Sequence, residues 1–178
     1  MHRLQDPPAP GATRAEALPL VDRHGFRTAA GADKVWAALA PTLLASFGTR
    51  RARWFARVVG CSQRKVSRPF LMRPGDRLAG FRIVTAQQPA ELVLEGEHRF
   101  ARYALIFRIA QREGITTVGA ETRAVFPGSP GRAYQGLVVG TGAHGRVTRR
   151  ILRGLRRRVE LAREPGSARR RARGGRRR

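Results

Sequence analysis

The spacing of apolar residues in the middle of the chain is that of β-strands. Over residues 81–126, apolar and polar positions alternate with a period of two, so that one face of each segment is apolar. Short linkers at residues 87–90, 99–102 and 113–114 divide this stretch into four segments. Because linkers of this length suit hairpins, the pattern predicts a meander of four antiparallel strands.

Before the meander, the pattern predicts one strand and two or three short helices. Residues 18–28 are compatible with a strand, and residues 33–39 begin a helix with an apolar face. Pro41 starts a second helical run over residues 42–59, which Gly48 divides. The apolar members of this second run are Leu43, Leu44, Phe47, Trp54, Phe55 and Val58.

After the meander, the period returns to that of a helix over residues 131–163. One stripe of this helix consists of Tyr134, Leu137, Val138, Thr141, His144, Thr148, Ile151 and Leu155, and arginines crowd the remaining surface. The stripe is expected to pack on the sheet. Glycines at positions 136, 140, 142 and 145 each weaken the helix by about 1 kcal/mol relative to alanine. A close approach of the helix to the strands or to a ligand would compensate.

The chain divides into one folded domain with a tail at each end. Its 178 residues, 42% of them hydrophobic, suit a single core at residues 18–164. Residues 1–17 are rich in proline and are expected to be a disordered leader. Residues 165–178 contain no large apolar side chain, so a disordered, arginine-rich tail is expected there.

Several segments resemble the START-like superfamily of polyketide cyclases and lipid-transfer domains. They are AGADKVWAAL at residues 30–39, PGDRLAGFRIV at residues 74–84, and the final helix. LVLEGEHRFARYALIFRI at residues 92–109 and AETRAVFPG at residues 120–128 resemble an uncharacterised bacterial branch. The resemblance implies an α+β helix-grip fold, in which a curved antiparallel sheet wraps around a long C-terminal helix. It also implies a cavity between them that binds a hydrophobic small molecule, and it assigns no catalytic residue.

Strand alternation and the helix stripe together indicate which side chains would line such a cavity. The strands contribute Phe81, Ile83, Leu92, Leu94, His98, Tyr103, Leu105, Phe107, Val118 and Thr122, and the final helix contributes Leu137, Thr141 and His144. The expected ligand is a hydrophobic small molecule, a lipid or an acyl chain. Burial of its apolar surface would drive binding, and a few polar groups would fix its orientation.

Three of these residues could instead support catalysis. His98, Tyr103 or His144 could act as acid or base in a cyclase-like or dehydratase-like reaction on a polyketide-type carbonyl compound. Equally, His98 could be a half-exposed histidine at a strand end, and the other two could hydrogen-bond within the fold. No phosphate loop, GxSxG, HExxH or CxxC motif is present, and we expect neither cofactor nor metal.

The formal net charge of +24 is concentrated in arginine. Of 36 basic residues only Lys34 and Lys65 are lysines, a bias typical of GC-rich coding sequences. The tail arginines are Arg169, Arg170, Arg171, Arg173, Arg176, Arg177 and Arg178. They could give weak adhesion to an anionic membrane or nucleic acid, or the tail could be merely solvated. Without interleaved aromatic residues, specific nucleic-acid recognition is not expected.

The remaining features indicate a cytoplasmic protein that is a monomer or a weak dimer. Cys61 is the only cysteine, so no internal disulfide can form. Residues 1–11 lack the basic and apolar regions of a secretory signal, and no apolar stretch approaches the length of a membrane span.

Overall fold

A computed structural model describes residues 14–138 and 143–162, with side chains at residues 14–136 and 145–162. The elements are β1 (Leu20–Thr28), α1 (Ala32–Phe47), α2 (Arg50–Val58), β2 (Arg77–Leu78), β3 (Phe81–Gln87), β4 (Glu91–His98), β5 (Ala101–Arg112), β6 (Ile115–Val125), α3 (Gly128–Val138) and α4 (Ala143–Leu161). The structure has a curved antiparallel sheet, short helices after the first strand and a C-terminal helix. This confirms the α+β, helix-grip fold predicted from the sequence. No helix in the described ranges is both long and apolar enough to cross a membrane.

The six strands form one antiparallel sheet in the order β1-β6-β5-β4-β3-β2. The four strands of the predicted meander are β3 to β6, and they are joined at the predicted linkers. Glu113 and Gly114 form the β5–β6 turn with φ angles of 49° and 76°. Two consecutive positive φ angles are what a two-residue hairpin requires, so the turn fixes the register of the two longest strands.

The main core lies between α1, α4 and one face of the sheet, which we call the inner face. The strands contribute Ile83, Leu92, Leu94, Leu105, Phe107, Ile109 and Val118 to it. Ile151, Leu152, Leu155 and Val159 of α4 pack against these side chains, and so do Val35, Leu39 and Leu43 of α1. All of these residues are almost completely buried, so this part of the space between helix and sheet is filled by side chains.

α1 continues through Pro41 to Phe47, so the prediction that a new helix starts at Pro41 is wrong. A proline inside a helix costs about 3 kcal/mol. Leu39 and Leu43, on either side of it, are completely buried, and burial of two leucines outweighs that cost. α1 ends at Gly48, as predicted, and α2 begins after Thr49, whose hydroxyl accepts a hydrogen bond from the Ala52 backbone N–H at 3.1 Å.

The opposite, outer face of the sheet is covered in part by residues 14–18. Val93, Ala104 and Ile106 form a small apolar cluster there, and Ala15 packs against them and is completely buried. Residues 14–17 belong to the segment expected to be a loose leader, whereas the structure places them in a turn against the sheet. The physical reason is that β4 and β5 carry apolar side chains on both faces, and the outer ones also need cover.

An ion-pair cluster lies next to Ala15 on the outer face. Arg108 of β5 contacts the carboxylates of Glu16, Glu91 and Glu121, and Arg23 of β1 also reaches Glu121, at 2.8 Å. Burial alone would raise the pKa of Glu121, but the nearby guanidinium groups of Arg108 and Arg23 outweigh it and hold the pKa below its usual value. The cluster ties β1, β4, β5 and β6 together across the sheet.

Candidate functional site

Polar side chains collect at one end of the inner face. On β1, Asp22 and His24 lie on the same face as Phe26, which packs against the main core. The register pairs Asp22 with Thr122 of β6 and His24 with Ala120. We call the group formed by Asp22, His24, Thr122 and the facing Thr148 of α4 the polar end of the inner face.

Asp22 and His24 each hold a buried polar atom that has no hydrogen-bond partner among the described residues. The Nε2 atom of His24 is 3.8 Å from Oδ2 of Asp22, which is beyond hydrogen-bond range. Oδ1 of Asp22 and Nε2 of His24 are inaccessible to solvent and form no hydrogen bond with any described residue. More than nine in ten buried polar groups in proteins are hydrogen-bonded, and an unsatisfied one costs about 1–3 kcal/mol. Two such atoms therefore lie on neighbouring side chains in the described part of the chain.

The residue of α4 that lies next to these atoms is a glycine, Gly145. A Cβ atom added at Gly145 of α4 would lie 3.5 Å from Oδ2 of Asp22, 3.6 Å from Nε2 of His24 and 3.8 Å from Nη2 of Arg149. Gly145 therefore has the close approach to the strands that its cost in a helix requires. It also places a position without a side chain, next to the Arg149 guanidinium group, opposite Asp22 and His24.

Thr122 and Thr148 extend the polar end toward the centre of the sheet. Their hydroxyl oxygens are 3.4 Å apart, and both residues are almost completely buried. Each hydroxyl can donate one hydrogen bond and accept others, so this contact leaves capacity on both side chains. Leu105 pairs with Thr122 in the sheet and is an apolar neighbour of it on the inner face.

A second group of polar atoms surrounds Tyr103 at the start of β5. The Tyr103 hydroxyl donates to the backbone oxygen of Gly80 at 2.8 Å and lies 3.6 Å from Sγ of Cys61. Burial, followed by the neighbouring Cys61, raises the pKa of Tyr103 well above its usual value. Desolvation likewise raises the pKa of the Cys61 thiol. Both groups therefore remain protonated near neutral pH.

Gly96 of β4 provides the space in which the Tyr103 ring lies. The two residues pair directly across the β4–β5 ladder. A Cβ atom at position 96 would be 2.0 Å from the Gly80 oxygen and 2.5 Å from Cε2 of Tyr103. Because residue 96 has no side chain, the Tyr103 ring can lie directly over strand β4.

His98 belongs to an aromatic group around Tyr134 of α3. Its ring centroid is 5.0 Å from that of Tyr134 and 5.5 Å from that of Tyr103, and Tyr134 stacks on Phe100 at 5.3 Å. The Nδ1 atom of His98 accepts a hydrogen bond from the Phe100 backbone N–H at 3.1 Å, so the neutral ring carries its proton on Nε2. Burial lowers the pKa of His98, which favours this neutral form.

The residues expected to line a cavity fall into three groups. Ile83, Leu92, Leu94, Leu105, Phe107 and Val118 belong to the packed core. Phe81, His98 and Tyr103 form one aromatic group, with ring centroids of Phe81 and Tyr103 5.1 Å apart, and Thr122 lies in the polar end. The side chains of Leu137, Thr141 and His144 lie outside the described residues.

Sequence reasoning missed Asp22 and His24. The signal was present, because alternation in the segment Asp22-Arg23-His24-Gly25-Phe26 places both on the face of Phe26. Within residues 14–138 and 143–162, no group of three or more His, Cys, Asp or Glu side chains could hold a metal ion.

Of the comparisons with known proteins, only the one with solved structures found matches, and these are matches of fold. No protein-family model and no curated protein matches the chain. CalU16 from Micromonospora echinospora is 17% identical over 78% of this chain and 83% of its own, with a TM-score of 0.38. A Rhodobacter sphaeroides protein is 20% identical over 81% and 94% of the two chains, with a TM-score of 0.48. Mll3558 from Rhizobium loti is 15% identical over 77% and 94%, with a TM-score of 0.45. At TM-scores below 0.5 these likenesses carry no argument about family, ligand or activity.

Proposed function

We propose that this protein binds a hydrophobic small molecule or acyl chain whose polar group sits at the polar end of the inner face. The observation that carries the proposal is the pair of buried, unpartnered atoms, Oδ1 of Asp22 and Nε2 of His24. A ligand that hydrogen-bonds to both would remove their desolvation cost.

The two atoms also restrict the chemistry of the ligand. A carboxylate oxygen of Asp22 only accepts hydrogen bonds, so the ligand must donate to it. The Nε2 atom of neutral His24 donates or accepts, according to its tautomer. A hydroxyl group can donate to Asp22 and also bond His24, so we infer a hydroxyl-bearing ligand rather than a free carboxylate.

The apolar part of the ligand has suitable surface nearby. Phe26 follows His24 on the inner face and is only partly buried, so it still offers apolar surface. Each Å² of apolar ligand surface removed from water contributes roughly 25 cal/mol. Binding would therefore be driven by apolar burial, with Asp22 and His24 fixing the orientation.

Catalysis by His98 or Tyr103 is the weaker alternative. The Tyr103 hydroxyl already donates to Gly80, and Nδ1 of His98 already accepts from Phe100. Because its pKa is raised, Tyr103 also does not form a phenolate at neutral pH. Adhesion through the C-terminal arginines concerns residues outside the described part of the chain and stays a prediction.

Native mass spectrometry of the full chain, purified from its own host, tests the proposal. We expect a discrete adduct that denaturing extraction releases and that contains a hydroxyl group. In Gly145→Leu the new side chain would occupy the space above Asp22 and His24. A Cβ there meets ordinary contacts of 3.5 Å or more, and the remaining leucine atoms would compete with a ligand for the same place, so the adduct should disappear.

Gly136→Leu is the matched control. Gly136 lies in α3, and a Cβ there meets nothing within 4 Å, so the same substitution changes helix propensity without filling the site. This variant should keep the adduct. A wild-type protein with a clean apo mass, or an adduct that survives Gly145→Leu at full occupancy, would overturn the proposal.

A further inference from the structure

Helix α2 leaves three bulky apolar side chains exposed, while the side that meets the domain is made mostly of alanines. Ala56 and Val59 pack against Cys61 and Ala79, and partly buried Ala52 joins them one turn earlier. In contrast, the exposed fractions are 66% for Trp54, 55% for Phe55 and 56% for Val58. The sequence pattern counted these three as apolar members of a helix, and the structure leaves all three facing solvent. A contiguous group of exposed bulky apolar side chains marks an interaction surface.

Arginines form a stripe beside these apolar residues. Arg50, Arg53 and Arg57 have the i, i+3, i+7 spacing that places them on one side of the helix. Trp54 and Val58 are four residues apart, so they lie one above the other on the adjacent side. The solvent-facing half of α2 is therefore a basic stripe alongside an apolar one.

The positive charge around α2 is not compensated locally. Between Asp33 and Asp76 the sequence has no acidic residue, whereas its basic residues are Lys34, Arg50, Arg51, Arg53, Arg57, Arg64, Lys65, Arg68 and Arg73. In the described ranges none of these side chains takes part in an ion pair. A groove of about 720 Å³ lies between Trp54 and six of them, Arg50, Arg51, Arg53, Arg57, Arg64 and Lys65.

We propose that α2 docks the protein on the surface of an anionic lipid bilayer. Trp54, Phe55 and Val58 would enter the interface between headgroups and acyl chains, and the arginines would contact lipid phosphates. A helix with a basic polar side and exposed Trp and Phe is the arrangement that lies in the plane of such an interface. The buried Ala56 and Val59 hold α2 to the domain, so it can dock without unfolding.

A bilayer explains the surface better than nucleic acid does. Single-stranded nucleic acid would use the arginines and stack bases on Trp54 or Phe55. Val58 has no ring for a base to stack on, yet it is as exposed as Phe55 and next to Trp54. Only an apolar phase gains from all three side chains. This inference stands on α2 alone and does not depend on the proposed ligand site.

The test measures co-sedimentation of the full chain with large unilamellar vesicles at 0.1 M NaCl. We expect binding to phosphatidylcholine vesicles that contain 30% phosphatidylserine and little binding to pure phosphatidylcholine. The combined change Arg50→Gln, Arg53→Gln, Arg57→Gln should weaken the partition coefficient by about 100-fold, since each arginine near an anionic surface contributes roughly a factor of five. Trp54→Ala with Phe55→Ala should weaken it by roughly 10-fold at unchanged charge.

The matched control is Arg150→Gln, Arg153→Gln, Arg157→Gln on α4. It removes the same charge at the same i, i+3, i+7 spacing from exposed positions. We expect less than a threefold effect. Equal loss in the two triple variants would mean that net charge alone drives binding, and would overturn the proposal. So would vesicle binding that is indifferent to Trp54→Ala with Phe55→Ala.

Fluorescence and competition give independent readouts. Trp54 emission should shift to the blue when anionic vesicles are added, and the shift should vanish in Trp54→Phe, because the only other tryptophan, Trp36, is buried. If a single-stranded oligonucleotide binds more tightly than the vesicles, and Trp54→Ala weakens that binding while Val58→Ala does not, then α2 is a nucleic-acid surface and the proposal is wrong.

Discussion

Replacing Gly96 with alanine should strongly destabilise the domain. The added Cβ would stand 2.0 Å from the backbone oxygen of Gly80 and 2.5 Å from Cε2 of Tyr103. Neither neighbour can move alone, because the Tyr103 hydroxyl donates to that same Gly80 oxygen. The methyl group would therefore separate β4 from the loop that holds Gly80, and would displace the ring as well.

The expected loss follows from two terms. Overpacking of a filled site costs typically 1–3 kcal/mol, and a buried acceptor that loses its donor costs about 1–3 kcal/mol more. We expect Gly96→Ala to lower the free energy of unfolding by at least about 3 kcal/mol. This is a large part of the 5–15 kcal/mol that stabilises an ordinary domain.

Urea denaturation followed by circular dichroism measures this difference, with Gly119→Ala as the control. Gly119 also lies inside a strand, β6, but a Cβ there would be 4.0 Å from its nearest neighbour, the Arg108 oxygen. That variant should stay within about 1 kcal/mol of wild type. If the two alanine variants unfold with the same midpoint, the packing of Tyr103 over Gly96 is refuted.

Two further predictions concern single interactions. Tyr103→Phe removes the donor to the Gly80 oxygen while keeping the ring. The free energy of unfolding, measured by urea denaturation, should therefore fall by about 1–3 kcal/mol. An unchanged value would mean that the Gly80 oxygen has another donor. The pKa of Glu121 is lowered in the folded protein. Its ion pairs therefore stabilise the fold fully at a pH above the pKa that Glu121 has in the unfolded chain, about 4.3. This stabilisation is lost as the pH falls through the lower pKa of the folded state. The stability difference between wild type and Glu121→Gln should therefore be about 2 kcal/mol at pH 7 and shrink toward pH 3. A difference that does not vary with pH would contradict this assignment.

The sequence predicts the strands well because their faces differ in polarity. Alternation over residues 81–126 places Leu92, Leu105 and Phe107 on one face, and the structure buries them together. The Glu113–Gly114 turn is equally readable, since glycine tolerates the positive φ that the hairpin needs. Local chemistry determines these features, so one sequence is enough to find them.

Features that depend on distant partners could not be read in the same way. Ala15 gives no hydrophobic signal, and its burial depends on the outer faces of β4 and β5, far along the chain. Trp54 and Phe55 carry a strong apolar signal, but Ala52, Ala56 and Val59 occupy the side of α2 that meets the domain. Gly145, which lies beside Asp22 and His24, comes from a helix near the other end of the chain.

The pairing of β1 with β6 also orders events during synthesis. Leu20 pairs with Arg123, and Thr28 pairs with Thr116, so the sheet joins segments that are far apart in the chain. Closing such a loop is slow relative to forming the hairpins of β3 to β6. A nascent chain can build its meander as it leaves the ribosome, but Asp22 and His24 stay in water until β6 and α4 have emerged. The proposed site is therefore completed last, and a truncated chain that ends before α4 would lack the part of it that α4 contributes.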